Sequence, residues 1–187
     1  MKRNKRRIVV LLVSLSLLIA AAVCAAGVVR RYYPLRHLDI IERYADEYGF
    51  EPEFICAVIH TESHFNKDAV SGKGASGLMQ ITESTAYWLA EKMHMEDFDY
   101  DQIFDPDLNI RMGCYYLQRL YTQYGDTDMA LCAYNAGSGN VANWLSSPEY
   151  SKDGITLDIV PFEETRNYVK RIDDARKIYT YILKVYK

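Results

Sequence analysis

The sequence lacks the residue groupings that bind metals or organic cofactors. None of its four cysteines belongs to a CxxC pair or to a cysteine–histidine cluster with metal-ligand spacing. His60 and His64 stand on either side of Glu62, but the HExxH order of zinc-binding helices is absent. We interpret the two histidines as solvated or groove-edge residues. The sequence therefore predicts a protein that uses neither a metal nor a cofactor.

The cysteines also give little support to a disulfide framework. Cys24 lies in an apolar N-terminal run, and the other three, Cys56, Cys114 and Cys132, lie in apolar surroundings with helical periodicity. Because three is an odd number, at least one of these thiols has no partner within the main domain. We expect buried free thiols, with a single disulfide as the alternative.

Acidic residues are missing from the first 31 positions, which hold seven lysines and arginines. The rest of the chain keeps 15 of the 22 basic residues and all 25 acidic ones, so its net charge is −10. A surface with this charge repels a phosphate backbone. Nucleic acid is therefore excluded as an expected partner.

Residues 8–29 carry no charge and are numerous enough to cross a bilayer as one helix. The basic residues before this run favour a cytoplasmic N-terminus. We predict a cytoplasmic tail at 1–7, a single-pass anchor in the cytoplasmic membrane at 8–29, a linker at 30–38 and an extracytoplasmic domain at 39–187. The alternative is a signal peptide cleaved near Ala25 and Ala26, which would release the domain by secretion.

Strand signals and internal repeats are almost absent, so the predicted fold class is all-α. Apolar periodicity, proline and glycine positions place helices at about 38–48, 52–65, 82–93, 105–124, 126–134, 141–145 and 161–186. Irregular segments are expected at 66–76, 94–104 and 146–160. Asp105 is predicted to cap the helix that follows it. The core face of that helix is predicted to hold Ile110, Cys114, Leu117 and Tyr121.

Glu62 lies on the apolar side of its predicted helix. Helical spacing puts Ile55, Val58, Ile59 and Phe65 on the same face. An ionised carboxylate among such neighbours is unfavourable, so it must find partners or raise its pKa. A carboxyl that stays protonated near neutral pH can act as a general acid. The alternative is a structural ion pair with a nearby arginine or lysine.

Four short segments follow one another with characteristic gaps: TES at 61–63, GLMQ at 77–80, AYNAG at 133–137 and ETRNYV at 164–169. Together they resemble the catalytic domain of the soluble-type lytic transglycosylases, which are relatives of goose-type lysozyme. The resemblance covers about residues 40–185. It implies a lysozyme-like helical domain with a substrate cleft.

The resemblance also implies an activity on peptidoglycan. The family cleaves the β-1,4 bond between N-acetylmuramic acid (MurNAc) and N-acetylglucosamine (GlcNAc), and it leaves a 1,6-anhydro-MurNAc end. Glu62 would be the single general acid and base. Residues that the resemblance places around the substrate are Ser63, Met79, Gln80, Tyr134, Asn135, Glu164 and Tyr168.

Other residues have a structural and a functional interpretation. Asp68 sits in a polar loop, whereas Glu83 and Glu164 belong to first helical turns, where acids complement the helix dipole. Trp88 and Trp144 are either sugar platforms or residues of the core and rim. Glycoside hydrolysis usually uses a second acid that activates water, and the sequence does not clearly place one.

Three functions remain open at this stage. The first is the lytic transglycosylase, with a glycan strand of peptidoglycan as substrate. The second is a lysozyme-like muramidase, which would hydrolyse the same bond. The third is a non-catalytic wall-binding component of an envelope complex, and such a complex is also a candidate protein partner of the enzyme.

Overall fold

The protein, seen in a computed structural model that describes residues 2–186, forms two compact units, Met1–Leu35 and Arg36–Lys187. Helix α1, Lys2–Tyr32, makes up most of the first unit. Its segment Leu11–Tyr32 is long and apolar enough to cross a membrane. Ser14 and Ser16 donate their hydroxyls to carbonyls one turn earlier in the helix, at 3.1 and 2.8 Å. These polar groups are therefore satisfied within the helix itself.

The second unit is built from helices, which confirms the all-α prediction. Between residues 2 and 186 the strand-like pairing consists of isolated bridges, Val70 with Ser76 and Ser76 with Ile81. The elements of this unit are α2 (Leu38–Tyr48), α3 (Pro52–Ser63), α4 (Glu83–Lys92), a 3₁₀ helix (Tyr100–Phe104), α5 (Pro106–Tyr124), α6 (Thr127–Ala136), α7 (Ser138–Leu145) and α8 (Glu163–Tyr186).

Short polar side chains cap the start of three of these α-helices. The Asp105 carboxylate accepts the backbone N–H of Leu108 at 3.0 Å, so the predicted cap is confirmed. Asp126 caps α6 in the same way, accepting the N–H of Met129 at 2.9 Å. The Thr82 hydroxyl accepts the N–H at the third position of α4. Each cap satisfies a donor that has no partner inside its helix.

The predicted end of α3 at residue 65 is wrong. The helix stops at Ser63, and His64 and Phe65 take left-handed backbone conformations with φ of 52° and 61°. The N–H of His64 bonds to the carbonyl of His60 at 3.1 Å, which closes the last turn. The reversal still buries Phe65, which packs against Tyr179 of α8.

Other boundaries shift by a few residues. Helix α6 continues to Ala136, α7 begins at Ser138, and α8 begins at Glu163. The Arg166 side chain, in the first turns of α8, donates to the carbonyl of Pro161, which precedes the helix, at 3.0 Å. The segment 94–104 is expected from the sequence to be irregular, but its second half forms the 3₁₀ helix. A capping box between Asp99 and Gln102 stabilises the start of this helix.

The core lies between α3 and α8 and continues to α5 and α6. Ile55, Val58 and Ile59 are fully buried on the predicted face of α3. The predicted core face of α5 is right for Ile110, Cys114 and Leu117 but wrong for Tyr121, whose side chain is 44% exposed near the last turn. Among the described residues the cysteines are free, and the three in this unit are buried, as expected.

Asn109 fixes the GLMQ segment to α5. Its side chain is buried, and its Oδ1 accepts the N–H of Met79 at 2.7 Å. Its Nδ2 donates to the carbonyls of Ser76 and Ile103 at 3.2 and 2.9 Å. Gly77 approaches so closely, with φ of 79°, that a Cβ there would overlap the Asn109 amide. Three backbone groups thus depend on one side chain.

Replacing Asn109 with alanine is expected to destabilise the fold by about 2–4 kcal/mol, because buried backbone groups lose their partners. The free energy of unfolding is measured by denaturing the full chain in detergent micelles, with the fluorescence of the buried Trp144 as the readout. The control is Asn140→Ala, since Asn140 is exposed on α7 and bonds a single carbonyl. Equal losses from the two variants would contradict the role of Asn109.

Candidate active site

Glu62 lies in the last turn of α3 and is partly buried. The hydroxyl of Tyr168, on α8, donates a hydrogen bond to its Oε1 at 2.6 Å. Such a short bond is typical of a hydroxyl that donates to a carboxylate. Because α3 packs along α8, residues 106 positions apart in the sequence meet at this point.

The pKa of Glu62 is raised from 4.5 to about 7. Burial is the largest cause, since it disfavours the charged carboxylate. The hydrogen bond from Tyr168 and the positive charge of Arg171 both act to lower the pKa. At neutral pH the group can therefore be populated both as an acid and as a carboxylate.

Tyr168 is suited to remain a donor at every physiological pH. Its side chain is only 2% exposed, and burial and the charge of Glu62 raise its pKa well above the ordinary value. The phenol thus keeps its proton while Glu62 changes its charge.

Ser63 and Met79 both help to hold the GLMQ segment against its neighbours. The Ser63 hydroxyl donates to the carbonyl of Leu78 at 2.8 Å and lies 3.3 Å from that of Ile59. The Met79 side chain is fully buried, and its carbonyl accepts the hydroxyl of Tyr134 at 2.7 Å. Both residues, predicted to contact or line the substrate site, are thus engaged inside the protein.

Gln80 follows Met79 in a left-handed conformation, with φ of 49°. Its Nε2 donates to the carbonyls of Ala69 and Gly77 at 3.2 and 3.0 Å. These two bonds use both amide hydrogens, so Oε1 is the atom that remains to accept a bond from a ligand.

A cavity of about 240 Å³ brings together three of the predicted site residues, Gln80, Tyr134 and Asn135. The Asn135 Oδ1 accepts the hydroxyl of Thr165 at 2.8 Å, which ties the end of α6 to the start of α8. Burial raises the pKa of Tyr134 well above its ordinary value, and the charge of Glu62 is the next largest cause. The tyrosine is therefore close enough to the acid to sense its charge, and it also lines this small cavity.

Glu164 stands apart from the contacts around Glu62. Its carboxylate is exposed and lies 3.6 Å from the Nζ of Lys73, in the loop between α3 and α4. Asp68 is likewise exposed, and it pairs with Lys67 at 2.7 Å. Among the described residues no carboxylate is a cause of the shifted pKa of Glu62, so this carboxyl stands apart from other acids.

The two tryptophans differ, and so do the two histidines. Trp144 is 6% exposed and belongs to the core, whereas Trp88 is 37% exposed. His64 is exposed, as predicted, but His60 is half-buried, with its Nδ1 3.3 Å from the hydroxyl of Tyr179. Burial lowers the pKa of His60 to about 4, so the ring is neutral at physiological pH.

Sequence reasoning missed three contributors to this site: Asn109, Thr165 and Arg171. Arg171 follows Tyr168 by one helical turn, so the i, i+3 spacing on α8 is the signal that places its charge near Glu62. Asn109 and Thr165 are buried polar residues within apolar helix faces, a pattern that marks a side chain with internal partners.

Comparison with known proteins agrees with this geometry. Residues 39–155 match the Transglycosylase SLT domain, which covers more than half of the chain. The chain belongs to this family. The family assignment agrees with the resemblance that the four sequence segments indicate.

Relatives include both soluble and membrane-bound proteins. The soluble lytic murein transglycosylase of Escherichia coli K12 is 34% identical over 154 residues, which cover 81% of this chain and 24% of the relative. The membrane-bound lytic murein transglycosylase C of Serratia proteamaculans is 30% identical over 168 residues, covering 77% of this chain and 46% of the relative. The chain thus spans less than half the length of either relative.

Solved structures of SLT proteins share the fold. An inactive variant of the lytic transglycosylase Slt from Pseudomonas aeruginosa matches with a TM-score of 0.72 and 33% identity, covering 83% of this chain and 26% of that one. The 70 kDa soluble lytic transglycosylase of Escherichia coli matches with the same TM-score and 32% identity, over the same shares of the two chains. That protein has also been solved in complex with bulgecin A.

The raised pKa of Glu62 predicts a pH-dependent stability. Between pH 4.5 and 7 the unfolded chain loses the Glu62 proton while the folded chain keeps it, so the free energy of unfolding falls as pH rises. The Glu62→Gln substitution removes this fall in the free energy of unfolding, because glutamine does not titrate. We expect the variant to gain about 1–3 kcal/mol over the unsubstituted protein between pH 4.5 and pH 8, measured by urea unfolding.

The matched control for this measurement is Glu91→Gln, because Glu91 is exposed on α4 and pairs with Lys92. This substitution should leave the pH dependence unchanged. Parallel curves for the Glu62→Gln variant and the unsubstituted protein would contradict the raised pKa.

Proposed function

We propose that the chain is a peptidoglycan lytic transglycosylase that cleaves the MurNAc-β-1,4-GlcNAc bond and leaves a 1,6-anhydro-MurNAc end. The observation that carries this proposal is the lone carboxyl of Glu62, which has a pKa of about 7 and accepts a bond from Tyr168. Membership of the SLT family supports the substrate, since the relatives are named lytic murein transglycosylases.

In the proposed reaction Glu62 first acts as an acid. It gives its proton to the glycosidic oxygen as the bond from that oxygen to the muramyl C1 breaks, and GlcNAc leaves as an alcohol. The resulting carboxylate is stabilised by the hydrogen bond from Tyr168 and by the charge of Arg171. The electron-poor C1 resembles an oxocarbenium ion at this stage.

Glu62 then acts as a base. Its carboxylate takes the proton of the muramyl C6 hydroxyl as that oxygen bonds to C1, which closes the anhydro ring and regenerates the acid. A glycosidase usually needs a second carboxylate, either as nucleophile or to activate water. An attacking hydroxyl carried by the substrate has a high effective concentration, so one carboxyl suffices.

The remaining site residues divide into two groups in this proposal. Gln80, through its Oε1, and Asn135 are assigned to sugar binding, because both line the small cavity beside Tyr134. Ser63 and Met79 are assigned to holding the GLMQ segment in place. The Ser63 hydroxyl donates to the Leu78 carbonyl, and the Met79 carbonyl accepts the hydroxyl of Tyr134.

Two further site residues lie on α8. Tyr168 is assigned to stabilising the carboxylate of Glu62, because its hydroxyl donates a hydrogen bond to that group. Glu164 is assigned to the exposed rim beside Lys73, where it would meet the substrate outside the buried site.

We also propose that α1 anchors the domain in the cytoplasmic membrane, with the N-terminus inside and the domain outside. The apolar segment Leu11–Tyr32 and the existence of membrane-bound relatives support this assignment. A tether of this kind confines cutting to wall within reach of the membrane. Protease protection of the basic tail in spheroplasts, together with digestion of the domain from outside, tests the orientation.

Glu62→Gln is expected to abolish cleavage of purified peptidoglycan, because glutamine cannot exchange the proton; a loss of at least about a hundredfold corresponds to one general acid–base group. Mass spectrometry of the released muropeptides measures both rate and product. The unsubstituted protein should release fragments with 1,6-anhydro ends.

The control for this test is Glu83→Gln, an exposed acid in the first turn of α4, which should keep its activity. Fragments with reducing ends would identify a muramidase instead. Cleavage that survives in the Glu62→Gln variant would remove Glu62 from the mechanism.

Tyr168→Phe is expected to move the alkaline limb of the pH–rate profile to higher pH. The hydrogen bond from Tyr168 lowers the pKa of Glu62, so its loss raises that pKa, by about half a unit to one unit. The control is Tyr179→Phe on the same helix, whose hydroxyl lies beside His60. A limb that stays in place, or moves equally in both variants, would contradict the proposed role of Tyr168.

A further inference from the structure

A groove of about 920 Å³ runs between α4 and α5 and carries aromatic side chains, Trp88, Tyr115 and Tyr116. We call it the Arg119 groove, after the arginine among its lining residues. Thr85 and Tyr116 line both this groove and the small cavity that holds Gln80 and Asn135. The two spaces are therefore neighbours along one surface.

The charge of this groove differs from that of the surrounding domain. Residues 32–187 carry a net charge of −10, yet Arg119 is the one charged residue among the eleven described residues that line the groove. The other polar lining residues are serines, threonines and glutamines. An anion entering here would meet a positive charge and no carboxylate of the lining.

Arg119 is held in place by aromatic rings. Its guanidinium lies 5.5 Å from the ring centre of Trp88 and 5.8 Å from that of Tyr115. Its Nη1 is 3.4 Å from the Tyr115 hydroxyl. Within the described part of the chain, no carboxylate forms an ion pair with it. A guanidinium positioned in this way has donors left for the two oxygens of a carboxylate.

We infer that the Arg119 groove binds the peptide stem of the glycan strand, and that Arg119 is a specificity-determining residue that takes a stem carboxylate. This inference rests on the proposed function for the identity of the strand. Neutral sugars would give the arginine no charged partner, whereas the stem brings carboxylates and apolar side chains to the same place. The aromatic rings suit the apolar part of the stem.

A binding experiment tests this without any cleavage. The full chain with Glu62→Gln, in detergent micelles, is titrated by calorimetry with MurNAc-tetrapeptide bearing free carboxylates, and with the same compound after amidation. The free form should bind more tightly. Adding Arg119→Gln should weaken its binding about three- to tenfold and leave the amidated form unchanged, while Arg119→Lys should weaken it less.

The matched control is Lys177→Gln, which removes the same charge from the exposed face of α8 and should leave binding unchanged. Equal affinity for the two probes, no binding of either, or an Arg119→Gln variant that binds like its parent would overturn the inference. Inorganic phosphate that displaces the free probe at equal concentration would also overturn it, since the site would then select anions in general.

The outcome is separable from that of the proposed function. If the unsubstituted protein failed to form anhydro ends while the carboxylate-dependent binding persisted, the reaction would be refuted and the stem site would stand. The opposite outcome would be that the unsubstituted protein and the Arg119→Gln variant form anhydro ends at equal rates, both on peptidoglycan and on glycan strands stripped of their stems. In that case the reaction would stand and the stem site would fail.

Discussion

The hydrogen bond between Tyr168 and Glu62 is the interaction on which the site depends, because it opposes the effect of burial on the same carboxyl. Burial among apolar residues favours the neutral acid, whereas the phenol and Arg171 favour the carboxylate. The balance leaves the pKa near 7. Burial without the phenol and Arg171 would raise the pKa further, whereas the phenol and Arg171 without burial would lower it. A reaction that needs the same carboxyl first as acid and then as base requires both.

The fold also fixes the GLMQ segment, which contacts the end of α3 through Ser63. Three side chains from different helices hold residues 77–80: Ser63 of α3 bonds the Leu78 carbonyl, Asn109 of α5 bonds the Met79 amide, and Tyr134 of α6 bonds the Met79 carbonyl. Because the backbone is held from three sides, Gln80 is presented to the cavity in a conformation with positive φ. The four segments that identify the family thus form one connected set of contacts.

Much of this arrangement could be predicted from the sequence. Capping by Asp105, the apolar face of α3 and the all-α class follow from local rules that the structure confirms. The end of α3 could not be predicted in the same way, because the left-handed His64 and Phe65 are accompanied by a contact of Phe65 with Tyr179 of α8, far along the chain. Two of the three partners of Asn109, at Ser76 and Met79, lie 33 and 30 residues away in the chain, and no periodicity signals such a contact. The bonds that join Ser63 to Leu78 and Tyr134 to Met79 also link distant parts of the chain, so they could not be predicted for the same reason.

The central claim concerns the charge of one carboxyl, and it can be measured directly. Carbon-13 NMR of side-chain carboxyls in the full chain, with Glu62 assigned by comparison with the Glu62→Gln variant, gives the titration curve of this group. A midpoint near pH 7 is the predicted result. A midpoint near the ordinary glutamate value of 4.5 would contradict it, because a carboxyl already ionised at neutral pH has no proton to give.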